Sequence, residues 1–363
     1  MDIDIILECN VSPAEVAELA VTAEQMGIRA IWTSNYHQDY DCYMALMPAA
    51  AATSKIKLGV MAVTPWELHP LKMANATHTL NQFSKGRAIV SVSGGGGVLG
   101  AIGWRIRKDA PIWPRKNPVT LARYPERRVR GLIETIEILN LSRSGKMTFQ
   151  YDGQIFQVTR PFQNNWDQSD NPFFIYGCCS GPMMIRAGAR LADGVFLSDY
   201  TVDMMPTAWE NLEKGFAKRE WPRDNFRLNN FWAWHVKEDR EASRIEGKNE
   251  LIWRGAIAAK YAHDIRPHVD SDAEAQLIID NWDSFLQAFW KRDGEIPNVP
   301  EETATKLLDG MTSWGDLSVI DREVEKFRGF ADAGLTELGL RLFDDPMDGL
   351  KLIGQHLLPK LRK

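Results

Sequence analysis

Short apolar runs alternate with amphipathic helical stretches along most of the chain, and this alternation is what most restricts its fold. The runs at 2–9 (DIDIILEC), 28–33 (IRAIWT) and 57–64 (KLGVMAVT) have the length and composition of buried strands. Helical periodicity follows each run, and the first helix begins after Ser12, with Glu15 completing a capping box. Strands that alternate with helices predict a parallel sheet with crossover helices.

About eight such β units are present. The remaining predicted strands are 87–93, 173–177, 194–197, 226–236 and 335–342. Eight units in 363 residues favour an α/β fold closed as a (β/α)8 TIM barrel over an open doubly wound sheet. We therefore expect residues 1–363 to form one barrel domain. A hairpin with a tight turn at Asp152-Gly153 interrupts the repeat.

Two further stretches do not fit the repeat, and we interpret them as insertions at the C-terminal face of the barrel. Residues 94–123 are rich in glycine, proline and basic side chains and follow the fourth strand, where barrel active sites are built. Residues 238–312 are rich in tryptophan and helix formers, which predicts an inserted helical region. Loops of this length in a compact domain are often functional lids.

Composition excludes several classes of function. A net charge of −5 gives no electrostatic basis for nucleic acid or an anionic membrane as the main partner. No apolar run approaches the ~20 residues of a membrane span, and the first residues are acidic where a signal peptide would be basic. Four cysteines are too few for a disulfide scaffold. We expect a cytoplasmic enzyme.

Several residues after predicted strands are candidates for chemistry. Gly94 to Gly97 match neither common phosphate-loop motif, so a ligand loop and a flexible turn both stay open. The segment 176–182 (YGCCSGP) combines small residues with a proline at a helix start. This pattern is typical of a phosphate-binding loop, but also of an ordinary connection from a strand to a helix, and both interpretations stay open. Adjacent Cys178 and Cys179 are better explained by packing than by thiol chemistry.

The histidines show no HxxxH or HExxH spacing, so no metal site is expected. His37 and His69 each follow a strand and are candidates for acid–base chemistry. Carboxylates near strand ends keep a glycosidase open, because that chemistry needs two facing carboxyl groups. These carboxylates are Glu8, Asp39, Asp41, Glu67 and Asp199.

Four segments together resemble the bacterial luciferase-like superfamily of flavin- and deazaflavin-dependent oxidoreductases. They are PAEVAELAVTAEQMGIRAIW, KLGVMAVTPWELHPLKMANATHTLNQFSKGRAIVSVSGGGG, NPFFIYGCCSGPMMIRAGARLADGVFL and TSWGDLSVIDREVEKFRGFADAGLTELGL. The chain looks closest to the branch that uses coenzyme F420, particularly the methylenetetrahydromethanopterin reductase group. This resemblance implies a (β/α)8 barrel with the deazaflavin at the carboxyl ends of the strands.

The resemblance also implies the cofactor site. A non-proline cis peptide at Met61-Ala62 would support the central ring of the cofactor, with Thr64 nearby. The other implied cofactor-binding residues are Ser93, Gly94, Gly95, Gly177, Cys178, Cys179, Ser180 and Gly181. The backbone amides of 178–181 would hold the phosphate.

The implied reaction is hydride transfer between deazaflavin C5 and a small organic substrate. Relatives often carry Asp-His in the loop after the second strand, where this chain has Asn35-Tyr36. Asn35 and Tyr36 are the candidates for polar contact with the reacting centre. His37 is the candidate proton donor.

Three other functions stay open. An FMN-dependent monooxygenase supplied by a separate reductase would use the same fold. The basic residues from Arg105 to Arg123 mildly favour F420, whose tail is acidic, or form a solvated loop. A non-catalytic flavin-binding barrel and a glycosidase are the remaining alternatives. The family implies a homodimer, with a flavin or F420 reductase as a further partner.

Overall fold

The computed structural model describes residues 1–95, 98–99, 102, 127–146, 148–163, 171–259 and 261–362. Most of the predicted insertion at 94–123, including its basic cluster, lies outside these residues.

The strands are β1 (Asp2–Leu7), β2 (Ala30–Ser34), β3 (Lys57–Val63), β4 (Ala88–Ser93), β5 (Thr148–Asp152), β6 (Gln157–Gln163), β7 (Phe174–Cys178), β8 (Gly194–Ser198), β9 (Arg227–Trp234), β10 (Thr312–Ser313) and β11 (Glu337–Arg341). The α-helices within the described residues are α1 (Pro13–Gln25), α2 (Cys42–Ala52), α3 (Pro70–Phe83), α4 (Arg128–Ser142), α5 (Pro182–Leu191), α6 (Met205–Phe216), α7 (Arg240–Glu250), α8 (Gly255–Ala259), α9 (Ala262–Ile265), α10 (Asp272–Asp280), α11 (Trp282–Lys291), α12 (Glu301–Met311), α13 (Ile320–Asp332), α14 (Pro346–Leu352) and α15 (Leu358–Leu361).

The main sheet has the strand order β10-β9-β11-β1-β2-β3-β4-β7-β8, and β9 also pairs with β8. The pairings from β1 to β4, and onward through β7 to β8, are parallel. A parallel sheet that closes on itself, with helices between its strands, is a (β/α)8 barrel. This confirms the predicted fold class.

The predicted hairpin is present, but the prediction of its turn is wrong. Strands β5 and β6 pair antiparallel with Asp152 opposite Gln157, so four residues connect them. The reason is the carboxylate of Glu134 on α4, which is fully buried. It accepts hydrogen bonds from the backbone N–H groups of residues 154, 155 and 156 at 2.8–2.9 Å. These three donors hold the wider loop open around one carboxylate.

The chain divides into two compact units. The first contains Asp2–Leu197 and Pro206–Asn229. Its buried carboxylate Asp4, 0% exposed, accepts hydrogen bonds from Arg29, from Trp32 Nε1 at 2.9 Å and from Asn229 Nδ2 at 2.8 Å. These bonds connect β1, β2 and β9 within this unit.

The second unit contains Met1, Ser198–Met205 and Asn230–Lys363. The prediction that 238–312 is helical is confirmed, since α7 to α12 occupy most of it. These helices bury an apolar cluster of their own, which includes Trp282, Phe285 and Leu307. The assignment of the whole chain to one domain stays a prediction. Among the described residues, the helices are too short or too polar to cross a membrane.

Candidate functional site

The peptide bond between Met61 and Ala62, near the end of β3, is cis. This is where the resemblance predicts it. The register of β3 against β4 shifts between Val60 and Val63, so the strand is irregular there. Asn35, which directly follows β2, bonds to both carbonyl groups. Its backbone N–H donates to Met61 O at 2.6 Å, and its side-chain Nδ2 donates to Ala62 O at 3.2 Å.

Glu67 connects this peptide to the loop that follows β3. Its Oε1 accepts hydrogen bonds from Asn35 Nδ2 at 2.6 Å and from the Thr64 backbone N–H at 2.8 Å. Burial raises the pKa of the Glu67 carboxyl, and the negative charge of Asp41 adds to the effect. The two hydrogen bonds act in the opposite direction, because they favour the charged form. A carboxyl group therefore lies beside the cis peptide with its pKa above the ordinary range.

The Thr64 hydroxyl is fully buried and has no hydrogen-bond partner among the described residues. Buried polar groups are nearly always satisfied, so an unpartnered hydroxyl needs an explanation. Gly95 faces it, because a Cβ on Gly95 would lie 2.7 Å from Thr64 Oγ1. Gly95 also has a φ of +80°, which favours glycine. A side chain at this position would clash with Thr64 Oγ1 and with Leu99, so glycine is required where the chain passes close to the hydroxyl.

The remaining predicted residues of this region differ in exposure. Tyr36 is half-buried and His37 is exposed. Ser93 is half-buried, and its Oγ accepts a hydrogen bond from Gly95 N–H at 3.1 Å. Gly94 is buried, and a Cβ there would lie 2.9 Å from the Met184 side chain. The structure therefore brings Asn35, the cis peptide and Thr64 together, while His37 reaches solvent.

His69 proves to be a structural residue. It is the N-cap of α3, and its Nδ1 accepts a hydrogen bond from Leu71 N–H at 3.2 Å. Its ring packs edge-on against Phe156 of the hairpin loop, and burial lowers its pKa. Trp66 packs against the same phenylalanine, with ring centroids 5.6 Å apart. The hairpin thus supports the loop that holds Thr64 and Glu67.

The predicted phosphate segment ends β7 and leads into α5. Gly181 is the N-cap of α5, provides no side-chain cap, and has open space around its Cβ position. Pro182 begins the helix and has no N–H of its own. A helix N-terminus with this arrangement attracts anions, because its first N–H groups have no partner in the helix.

The two cysteines confirm the packing interpretation in part. The Cys179 side chain is buried, and burial raises the pKa of its thiol well above the ordinary value. Its Sγ lies 3.2 Å from the Cβ position of Gly177 and 3.5 Å from that of Gly188, so it fills the space between two glycines. The Cys179 N–H donates to Phe196 O at 2.9 Å, so it belongs to the sheet and not to the predicted phosphate cradle.

These observations fit a planar cofactor with a phosphate-bearing side chain. The orphaned Thr64 hydroxyl offers a hydrogen bond, Gly95 presents no side chain to it, and the uncapped N-terminus of α5 suits a phosphate. Within the described ranges, no cluster of three or more His, Cys, Asp or Glu side chains is arranged to hold a metal ion.

Sequence reasoning gave Glu67 no role in this site. It was considered only as one of several strand-end carboxylates, because nothing in the sequence pairs it with Asn35, 32 positions earlier. The available signal was local. Glu67 follows Thr64 by three residues, with Pro65 between them, which is a spacing at which a carboxylate reaches back to a backbone N–H.

The chain is similar to known proteins along most of its length. A model of the luciferase-like monooxygenase family matches residues 6–282. The chain is 25% identical to a 5,10-methylenetetrahydromethanopterin reductase of Archaeoglobus fulgidus, over 94% of this chain and 93% of the relative. It is 25% identical to an F420-dependent glucose-6-phosphate dehydrogenase of Nakamurella multipartita, over 96% and 93%. The solved structure of the coenzyme F420-dependent tetrahydromethanopterin reductase of Methanopyrus kandleri superposes with a TM-score of 0.79 at 20% identity, covering 99% of each chain.

Proposed function

The chain belongs to the luciferase-like monooxygenase family, and from this premise we propose that it is an oxidoreductase that uses coenzyme F420 to transfer a hydride to or from a small organic substrate. The observation that carries the proposal is the segment Met61–Thr64. Its cis peptide is bonded to Asn35, and its buried Thr64 hydroxyl has no partner among the described residues. Relatives named for F420 match more than nine-tenths of the chain.

The proposed cofactor residues all lie in the first unit. When bound, F420 would supply a hydride-carrying carbon, C5 of its deazaflavin ring. Met61, Ala62 and Thr64 would hold that ring, with Ser93, Gly94 and Gly95 beside it. The backbone of Cys178, Ser180 and Gly181, with the N-terminus of α5, would hold the phosphate. Gly177, the remaining predicted cofactor residue, precedes them within β7. Cys179 would contribute packing, since its N–H is already bonded.

The candidate catalytic residues take different roles. Asn35 is a positioning residue, because its amide bonds to Ala62 O and to Glu67 Oε1. Tyr36 is half-buried and is the candidate for polar contact with the substrate. His37 is exposed and is a candidate proton donor only at the solvent side of the site. The implied homodimer, the separate reductase and the cytoplasmic location stay predictions.

The test is a fluorescence titration of the purified protein with F420 and, separately, with FMN. We expect micromolar or tighter binding of F420 and weak binding of FMN. Thr64→Trp should abolish F420 binding while the fold is retained, because the indole would crowd the ring of the cofactor. Thr79→Trp, at an exposed position on α3, is the matched control and should bind F420 like the wild type.

The possible results separate the alternatives. Preference for FMN would favour a monooxygenase and an oxygen-uptake assay. Binding of neither cofactor would refute the proposal. If F420 binds, a panel of small aldehydes, ketones and imines should reveal turnover by the change in F420 absorbance. Tight F420 binding without turnover of any panel compound would favour the non-catalytic flavin-binding alternative.

A further inference from the structure

We propose that Glu67 is the proton-carrying residue of the candidate site, donating a proton to the substrate heteroatom during reduction and accepting it during oxidation. This inference rests on the proposed function and assigns the proton transfer to a residue beside the cis peptide, whereas His37, the predicted donor, reaches solvent. Asn35 carries an amide, which cannot act as an acid or base at neutral pH. His37 is exposed. A hydride transfer to a C=O or C=N bond nevertheless requires a proton at the heteroatom.

The two oxygens of Glu67 are in different surroundings. Oε1 is held by Asn35 Nδ2 at 2.6 Å and by Thr64 N–H at 2.8 Å. Oε2 accepts no hydrogen bond from any residue that the structure describes. A carboxylic acid needs one oxygen to carry the proton and tolerates donors on the other, so this arrangement fixes the orientation of the group and leaves Oε2 for proton exchange. The side chain is partly exposed, which lets it regain a proton from water.

The charges around Glu67 favour its protonated form. Asp41 is the nearest acidic neighbour, and its carboxylate is fixed as the N-cap of α2 by the N–H groups of Tyr43 and Met44. Cys42 and Tyr43 are further titratable groups near it, and burial raises the pKa of both, so both stay neutral. Burial and the Asp41 charge both raise the pKa of Glu67. A raised carboxyl pKa brings a general acid closer to neutral pH, where it is most effective.

The proposed step balances in atoms and electrons. In the reducing direction, the substrate carbon gains a hydride with its two electrons from a reduced deazaflavin, which becomes oxidised. The substrate heteroatom gains the proton as the Oε2–H bond of Glu67 breaks, and the resulting carboxylate takes a proton from water. In the oxidising direction each transfer is reversed. The same carboxylate then accepts the proton of the alcohol or amine.

The first measurement needs no substrate. Difference infrared spectroscopy of the full chain follows the C=O stretch of protonated carboxyl groups from about pH 5 to about pH 8, with and without F420. We expect one carboxyl to titrate above the ordinary glutamate pKa of about 4.3. Its band should be missing in Glu67→Gln and should shift when F420 is added. Glu210→Gln, a change at an exposed carboxylate paired with Lys214, should leave the band in place.

The second measurement uses the panel compound that the wild type reduces fastest. Glu67→Gln keeps an acceptor oxygen for Asn35 and Thr64, so it should bind F420 within about threefold of the wild type. Its kcat should fall by at least about 100-fold, the usual minimum for loss of a general acid. The rate of the variant should also lose the pH dependence that follows the wild-type carboxyl.

The results distinguish this proposal from the proposed function. If the wild type binds F420 but no Glu67 band titrates in this range, or the band is insensitive to F420, the role of Glu67 is refuted and the proposed function stands. If Glu67→Gln binds F420 and keeps more than about a third of the wild-type kcat, the role is also refuted. If the wild type binds no F420, both fail together. Even if the variant does not fold, wild-type spectra in which no carboxyl titrates above the ordinary range refute the role of Glu67.

Discussion

Replacing Thr64 with valine should stabilise the protein and weaken cofactor binding at the same time. The change removes a hydroxyl that is 0% exposed and has no hydrogen-bond partner among the described residues, while the shape of the side chain is kept. An unsatisfied buried polar group costs about 1–3 kcal/mol. We therefore expect Thr64→Val to raise the free energy of unfolding of the cofactor-free protein by about 1 kcal/mol.

The effect on binding has the opposite sign. If the hydroxyl bonds to F420, its loss removes about 0.5–1.5 kcal/mol of binding free energy, which is roughly a 2- to 12-fold increase in Kd. The assays are urea unfolding of the cofactor-free protein and fluorescence titration with F420. The urea midpoint should move while the slope stays constant, which marks a change in stability alone.

Thr77→Val is the matched control. Thr77 is equally buried, but its hydroxyl bonds to Met73 O at 2.8 Å and to Tyr43 Oη at 3.0 Å. Its removal should destabilise the protein by about 1–3 kcal/mol, because the Tyr43 hydroxyl loses its partner. The reasoning is refuted if Thr64→Val destabilises the protein as the control does, or if it binds F420 as tightly as the wild type.

Three further predictions concern the same unit. Gly95→Ala forces a Cβ onto a residue with a φ of +80° and against Thr64, so it should lower the free energy of unfolding by about 1–3 kcal/mol in urea. Gly181→Ala, where the Cβ meets open space, should change it by less than about 0.5 kcal/mol. Equal effects of the two variants would contradict the backbone argument. Asn35→Asp places a second carboxyl where Asn35 Nδ2 now lies 2.6 Å from Glu67 Oε1. The infrared titration should then show two coupled carboxyl groups, with the pKa of one raised further. An unchanged Glu67 band would contradict the contact. Burial lowers the pKa of His78 from about 6.5 to about 4, so between these pH values the unfolded chain binds one proton more than the folded chain. The free energy of unfolding should therefore fall by about 1.4 kcal/mol for each unit that the pH falls in this range. His78→Gln should remove that part of the slope, and an unchanged slope would refute the argument.

The sequence was sufficient to predict the order of the longer strands and helices, because each β unit is a short apolar run followed by a periodic stretch. The two-residue strand β10 was missed, because it is too short to show a pattern. The cofactor site could be predicted only from the family resemblance, because hydrophobic periodicity carries no information about it. The cis bond at Met61-Ala62 has no local signal, since neither residue is proline, and it was predicted only from the aligned segment.

Two features could not be predicted, because both depend on side chains that meet across the fold. The wider hairpin loop depends on Glu134, which lies about twenty positions before the backbone N–H groups from which it accepts hydrogen bonds. The contact of Asn35 with Glu67 spans 32 positions, and either residue alone is an ordinary polar loop residue. Spacing along a chain predicts contacts within a helix or turn, but not contacts between the ends of two strands.

The buried carboxylate of Asp4 has a consequence for how the protein is made. Its partner Asn229 lies 225 positions later in the chain. At a synthesis rate of about 5–20 residues per second, a ribosome needs roughly 10–45 s to bridge that interval. During this time the first strand has been synthesised, but its carboxylate lacks one of its final donors. The hydrogen bonds that satisfy this carboxylate are therefore completed only after the second half of the chain has been synthesised.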